Sequence, residues 1–213
     1  MYNGYRNVQE FFWKNFGERF LKNLTLGKQG VYMQVVSGFL RGVRLGNVQG
    51  YNMRPTLDHV KQAFFNIIQN DIEGTNFLDC FSGTGQIGIE ALSRGACSCV
   101  FIDKNPQLTK KNLEKIELEI EKKLQFTIIG QNIENALQTL DKPFGFIYAD
   151  PPYSFKDIHE LFNGINKHKL LAPNGFVVLE QRIKKLQTDY LGFSVAKIKN
   201  YGNVQLVFYA EEK

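Results

Sequence analysis

Asn76-Phe77-Leu78-Asp79-Cys80-Phe81-Ser82-Gly83-Thr84-Gly85-Gln86-Ile87-Gly88-Ile89-Glu90-Ala91-Leu92 decides the fold. Apolar residues surround Asp79, which predicts a strand over 77–81; a glycine-rich turn follows, and helical spacing resumes over 85–94. Gly83, Gly85 and Gly88 spell G-x-G-x-x-G, where bare backbone can approach a ligand closely. That pattern alone admits a dinucleotide. Asp79 argues for another ligand, because a pyrophosphate gains nothing from a carboxylate ahead of the glycines. S-adenosylmethionine has a cationic sulfonium and ammonium, which an acid suits. Its single carboxylate suits the helix N-terminus near Gly85.

Working outward, strands and helices alternate. Strands are expected at 99–103, 126–129, 144–149 and 176–180, and helices at 107–121, 133–140 and 156–166. Alternation of this kind predicts a parallel sheet covered by helices on both faces. The tail breaks the alternation. Residues 193–199 and 204–209, joined at Tyr201-Gly202-Asn203, read as an antiparallel pair. Upstream, 34–38 and 42–45 read as a small hairpin, and Arg54-Pro55-Thr56 leads into a helix with Thr56 as its N-cap. Three segments follow: an extension over 1–32, a β-hairpin appendage over 33–53 and the main α/β domain over 54–213. Positions 12, 16 and 20 of the extension share a helical face, so it reads either as an amphipathic helix or as a loosely ordered lead.

Two further residues sit where strands end. Asp103 follows the second strand, where an acid can accept both hydroxyls of a ribose. Asn132 follows the third, where its amide can read an adenine edge or simply serve a turn. The fourth strand runs into Asp150-Pro151-Pro152-Tyr153. Ligands of open α/β sheets sit at the carboxyl ends of the strands, so this tetrapeptide borders the cofactor pocket. Its residue types suit methylation of an amino group on a nucleic-acid base. The lone pair of such an amine is delocalised into the ring, and hydrogen bonds to two fixed acceptors draw it back onto nitrogen. Asp150 can provide one acceptor and the Pro151 carbonyl the other, with the two prolines stiffening the chain. Tyr153 offers a face on which the base can stack. A base inside a helix must first be flipped out.

The chain carries 26 Lys and Arg against 21 Asp and Glu, a net charge of +5. The excess is uneven. Residues 1–32 hold five basic and two acidic residues, and 41–61 hold Arg41, Arg44, Arg54 and Lys61 against Asp58 alone. A local basic cluster on a near-neutral body suits a polyanion, although a solvated charged face has the same composition. Cys80, Cys97 and Cys99 form neither a disulfide framework nor a zinc pattern, and are expected to be buried strand thiols in a reducing compartment. His59, His159 and His168 lack metal spacing, so no metal is expected. Neither a spanning apolar run nor a signal-peptide layout is present, which makes the cytoplasm the expected location.

Beyond these motifs, the sequence resembles the bacterial small-subunit rRNA guanine-N2 methyltransferases of the RsmD type. The resemblance covers about 33–210. It rests on Ser37-Gly38, Arg41-Gly42, Arg44-Leu45, Arg54-Pro55-Thr56, Asp58, Val60-Lys61, Phe65-Asn66, the Leu78–Gly85 run, Glu90-Ala91-Leu92-Ser93-Arg94-Gly95-Ala96, Asp150-Pro151-Pro152-Tyr153 and Tyr201-Gly202. His59 stands where an arginine is usual, and Gln62 where an acid is common. The resemblance implies a Rossmann-like α/β methyltransferase fold, with a seven-stranded, mostly parallel sheet containing one antiparallel strand. It implies S-adenosylmethionine as donor, held at Asp79, Phe81, Gly83, Gly85, Asp103 and Asn132. Asp150, Pro151, Pro152 and Tyr153 take the catalytic role, and Arg41, Arg44, Arg54 and Thr56 meet the substrate. The implied partner is 16S rRNA, and the modest size of the basic patch suggests that a monomer acts on it. Adenine N6 or cytosine N4 as acceptor, a binding protein that keeps only the fold, and a nicotinamide oxidoreductase are the competing readings.

Overall fold

The computed structural model describes residues 33–46, 55–120, 123–183 and 189–212. The extension and Arg54 lie outside them. Chain order is β1 (Met33–Gln34), β2 (Arg44–Leu45), α1 (Pro55–Ile67), β3 (Asn76–Cys80), α2 (Gln86–Ser93), β4 (Ser98–Ile102), α3 (Gln107–Glu119) and β5 (Phe126–Ile129). It continues with α4 (Ile133–Leu137), β6 (Phe144–Ala149), α5 (Ile158–Lys167), β7 (Leu171–Arg182), β8 (Asp189–Tyr190), β9 (Phe193–Tyr201) and β10 (Val204–Glu211).

The main sheet runs β5-β4-β3-β6-β7-β10-β9, with the dipeptide β8 added at the β9 edge. β5, β4, β3, β6 and β7 are parallel, and β10 inserts antiparallel between β7 and β9. The seven longer strands therefore contain one antiparallel member, as expected. From β3 the chain moves outward through β4 to β5, then returns to the other side of β3 as β6. The strand order reverses between β3 and β6, which is where open α/β sheets form their ligand crevice.

Strand residues alternate between two cores. On one face, Phe77, Phe101, Tyr148, Val178 and Phe208 pack with Phe64 and Phe65 of α1, Ile89 of α2 and Leu113 of α3. On the other, Leu78, Ile102, Ile147, Leu179 and Tyr209 pack with Leu137 of α4 and Phe162 of α5. Burial on both faces explains why the central strands read as continuous apolar runs.

Several expectations need correction. α1 begins at Pro55, so Thr56 lies inside the helix rather than at its N-cap. Proline favours the first helical position because its φ is preset and it lacks a donor that would go unused there. β7 starts at Leu171, five residues before the expected strand. α4 ends at Leu137, after which Thr139 and Leu140 close tighter turns onto Ala136 and Leu137. Cys80 and Cys99 are buried strand thiols, but Cys97 is exposed, in the turn that enters β4. The hairpin strands shrink to two residues each.

The hairpin is short because α2 takes its polar groups. The buried Glu90 carboxylate accepts the amides of Val36 at 2.7 Å and Ser37 at 2.9 Å. It is also paired with Arg94 at 2.8 Å, and that guanidinium lies over the Phe65 ring. Ser93 donates its hydroxyl to the Ser37 carbonyl and accepts the Leu40 amide, while its own carbonyl accepts the Phe39 amide. Gly38, at φ +79°, passes so close that an added Cβ would stand 1.8 Å from the Ser93 carbonyl oxygen. The appendage is thus bolted to the helix that follows the glycine turn.

Gly38→Ala should cost about 3 kcal/mol or more, combining left-handed strain with a backbone clash. Gly42→Ala, at φ +88° with no atom within 4 Å of its added Cβ, should cost only the strain, about 1 kcal/mol. Urea midpoints at constant m-value compare the two. Equal losses would show that the Ser93 contact imposes no constraint.

Candidate active site

The glycine turn is built from behind. Asp79, 2% exposed at the end of β3, accepts the Gly88 amide on Oδ2 at 2.9 Å. It therefore braces the start of α2 from inside the protein rather than facing an open cleft. Burial pushes its carboxyl from 3.8 up to about 7; the Gly88 hydrogen bond opposes this and the charge of Asp103 adds to it. Phe81 turns the chain at φ +62°, an uncommon conformation for an aromatic residue. Thr109 of α3 donates to the Gly83 carbonyl at 3.0 Å, and Asn112 donates to the Thr84 carbonyl at 2.8 Å.

The three glycines have different roles. A Cβ on Gly83 would meet nothing nearer than 3.9 Å, so its exposed backbone faces open space. On Gly85 it would come within 2.9 Å of Thr109, and on Gly88 within 2.3 Å of the Phe101 ring. Those two glycines let α2 and the turn close onto α3 and β4. Of the three, Gly83 is the one available for close approach by a ligand.

Asp103, half-buried after β4, accepts the Gly83 amide on Oδ2 and the Asn105 amide on Oδ1, each at 2.8 Å. Each carboxylate oxygen keeps a further lone pair for a hydroxyl. Asn132 caps α4 with its backbone, while its side chain makes no capping bond. Open glycine backbone, an acid one strand over and the start of α2 together fit S-adenosylmethionine, with Gly83 and Asp103 nearest to hand.

The Asp150 tetrapeptide follows β6, next to β3 at the crevice. Phe155 donates its amide to the Pro152 carbonyl at 2.8 Å, and its ring meets Phe81 edge-on with centroids 4.9 Å apart. The two loops are thereby held side by side. Asp150 keeps an open side to solvent. Burial on its other sides, then the charges of Glu180 and Asp79, raise its carboxyl to about 8. Solvent access weakens the burial contribution, but both charges act in the same direction. Tyr153 is 81% exposed.

Two contributors, Arg182 and Asn112, lay outside the sequence reading of the site; Glu180 reads from sequence as a strand-end residue open to lining the substrate side, packing or capping. Glu180, buried on β7, accepts a hydrogen bond from Tyr148 of β6. Burial raises the Glu180 carboxyl, and the Tyr148 bond opposes that rise. Arg182, at the end of β7, lies over Tyr153. Asn112 exchanges hydrogen bonds with both backbone groups of Gly46, after β2, while holding Thr84. Strand ends and helix faces were legible, but nothing local announces that their side chains converge. Arg41 and Arg44 are exposed on the appendage. The side chain of Thr56, like Arg54, lies outside the described residues.

A family model described as conserved hypothetical protein 95 matches residues 33–210. The chain belongs to this family, the RsmD/YlbH family. YlbH of Bacillus subtilis (strain 168), a "Putative rRNA methyltransferase", is 38% identical over 70% of this chain and 82% of its own. Ribosomal RNA small subunit methyltransferase D of Buchnera aphidicola subsp. Acyrthosiphon pisum is 30% identical over 82% of this chain and 91% of its own. The solved "Putative methyltransferase yhhF" of Escherichia coli superposes with a TM-score of 0.72 at 24% identity, covering 85% of this chain and 98% of that one, and so shares the fold. This RsmD/YlbH member is an S-adenosylmethionine-dependent methyltransferase. Among its described residues no helix is long and apolar enough to cross a membrane.

The raised Asp79 carboxyl gives a signed prediction. A folded-state value of about 7 against 3.8 means that folding takes up a proton between those limits, so this contribution to stability is lost as pH rises through them. Asp79→Asn keeps an acceptor for Gly88 and abolishes the titration. Its stability relative to wild type should improve between pH 4 and pH 8 by on the order of 2–4 kcal/mol, measured by urea unfolding. Parallel curves would show that Asp79 ionises normally.

Proposed function

We propose that the protein methylates the exocyclic N2 amine of a guanine in 16S rRNA of the small ribosomal subunit, acting as a cytoplasmic monomer. The observation that carries the reading is the Asp150–Tyr153 tetrapeptide at the carboxyl end of β6, locked by Phe155 against the glycine turn that follows β3. The relatives named for ribosomal RNA methylation support the choice of substrate.

When bound, S-adenosylmethionine supplies an electrophilic methyl group. The chain's residues prepare the nucleophile. Asp150 accepts one N–H of the base amine and the Pro151 carbonyl accepts the other, which localises the nitrogen lone pair toward the methyl donor. Tyr153 stacks on the flipped base. Asp150 then takes the proton that the amine loses. Gly83, Phe81, Asp103 and Asn132 hold the donor, with Asp79 bracing their turn and Gly85 closing it onto α3. The appendage over 33–53, through Arg41 and Arg44, and the Arg54-Pro55-Thr56 segment that opens the domain over 54–213 meet the RNA backbone.

Asp150→Ala should lower turnover at least about a hundredfold while leaving cofactor affinity within a factor of about two, as loss of a proton acceptor confined to the chemical step would. Because the Asp150 carboxyl lies near 8, the acceptor form gains population as pH rises. The kcat/KM of the free enzyme should therefore climb through that region and flatten above it. Transfer of label from S-adenosylmethionine to small subunits from cells lacking the protein, followed by nucleoside analysis, tests the whole reading. N2-methylguanine is the expected product. Label in N6-methyladenine or N4-methylcytosine would keep the mechanism and replace the acceptor, and turnover by Asp150→Ala would remove Asp150 from it.

A further inference from the structure

Tyr153 is the most exposed aromatic ring among the described residues. Its main chain is fixed, because the following turn closes through the Phe155 amide on Pro152 and Phe155 seats on Phe81. Its ring has no such anchor in either core. What it has is Arg182. The Arg182 guanidinium carbon lies 4.5 Å from the centre of the Tyr153 ring, and Arg182 Nε donates to the Tyr153 hydroxyl at 3.1 Å. One contact fixes the plane of the ring and the other its long axis. Arg182 is the last residue of β7 and follows the buried Glu180 by two positions on the same strand face, so the guanidinium projects from a rigid element.

We propose that Arg182 is a positioning residue that backs Tyr153, holding the ring ready for a base to stack on the opposite face. This rests on the reading of Tyr153 as the stacking platform. An aromatic ring covered on one face by a cation has one face left, and a base stacking there meets a ring already ordered. Without Arg182 the two side-chain torsions of Tyr153 are free, and base binding must supply the order that Arg182 supplies in advance. Lysine cannot substitute, because it has neither a planar face nor a donor at the Nε position.

The test is steady-state methylation of small ribosomal subunits from cells lacking the protein, with S-adenosylmethionine affinity measured separately by calorimetry. Arg182→Ala should reduce kcat/KM for the subunit about fivefold, equivalent to about 1 kcal/mol, with cofactor affinity unchanged. Arg182→Lys should behave like Arg182→Ala. Tyr153→Ala should lose more, and adding Arg182→Ala to it should cost nothing further, because the group being positioned is gone. Two results would overturn the inference: wild-type kinetics for Arg182→Ala beside an impaired Tyr153→Ala, or losses that multiply in the double variant, which would mean that Arg182 acts on the RNA by itself. Undiminished activity in Tyr153→Ala would instead overturn the platform reading, and the inference with it.

Discussion

The hydrogen bond from the Gly88 amide to the buried Asp79 carboxylate joins the strand that starts the sheet's reversal to the helix that follows it. Between these two points the chain turns through Phe81, Gly83 and Gly85 at positive φ, a turn that needs an external hold. Thr109 and Asn112 provide it from α3 by taking the carbonyls of Gly83 and Thr84, and Asp103 takes the Gly83 amide. A turn so fully bonded at its back leaves the outward backbone of Gly83 as its free surface. The cost of burying Asp79 is visible in its raised pKa, and the return is a glycine turn held in one conformation by the protein itself.

The same helices carry this order to the appendage. Glu90 lies two positions after Gly88 on α2 and holds Val36 and Ser37, while Asn112 accepts the Gly46 amide on Oδ1 and donates from Nδ2 to the carbonyls of both Gly46 and Thr84. Lys61 of α1, 2% exposed, reaches the Gln34 carbonyl at 3.2 Å. Residues 33–46 are thus positioned by side chains that also hold or adjoin the glycine turn. Buried, charge-assisted bonds of this kind are strong and directional, so they fix orientation more than bulk apolar packing does. The exposed Arg41 and Arg44 therefore stand on a mount registered to the glycine turn.

The parts legible in sequence are those with a local cause. Strand-turn-helix periodicity located β3 and α2 to within a residue, and the apolar runs at β5 and β6 gave both bounds. Strand ends could be read too, which is why Asp79, Asp103 and Asp150 stand where they were expected. What escaped was direction. Asp79 points inward because a helix amide lies behind it, and Gly85 serves packing because Thr109 crosses it, and both facts depend on residues far along the chain. The appendage reads as a longer hairpin because alternation is blind to a competing acceptor such as Glu90. Arg182 and Tyr153 are 29 residues apart and meet only because β6 and β7 are neighbours.

The acids at the reversal of the sheet explain the chemistry the site can host. Asp79, Asp150 and Glu180 lie on one face of three adjacent strand ends, and the pKa of each is raised by burial first; Asp150 is raised further by the charges of the other two. Like charges held together in a partly dry crevice favour either a bound proton or a bound cation. A sulfonium donor brings a positive charge, and its arrival lowers the cost of ionising every acid nearby. Cofactor binding and loss of a proton from the cluster are thus coupled by linkage. In the proposed reaction the group concerned is Asp150, the acceptor assigned to the base amine and its proton. The +5 charge of the whole chain works in the opposite direction over longer range, drawing an anionic partner toward a crevice whose own centre is acidic.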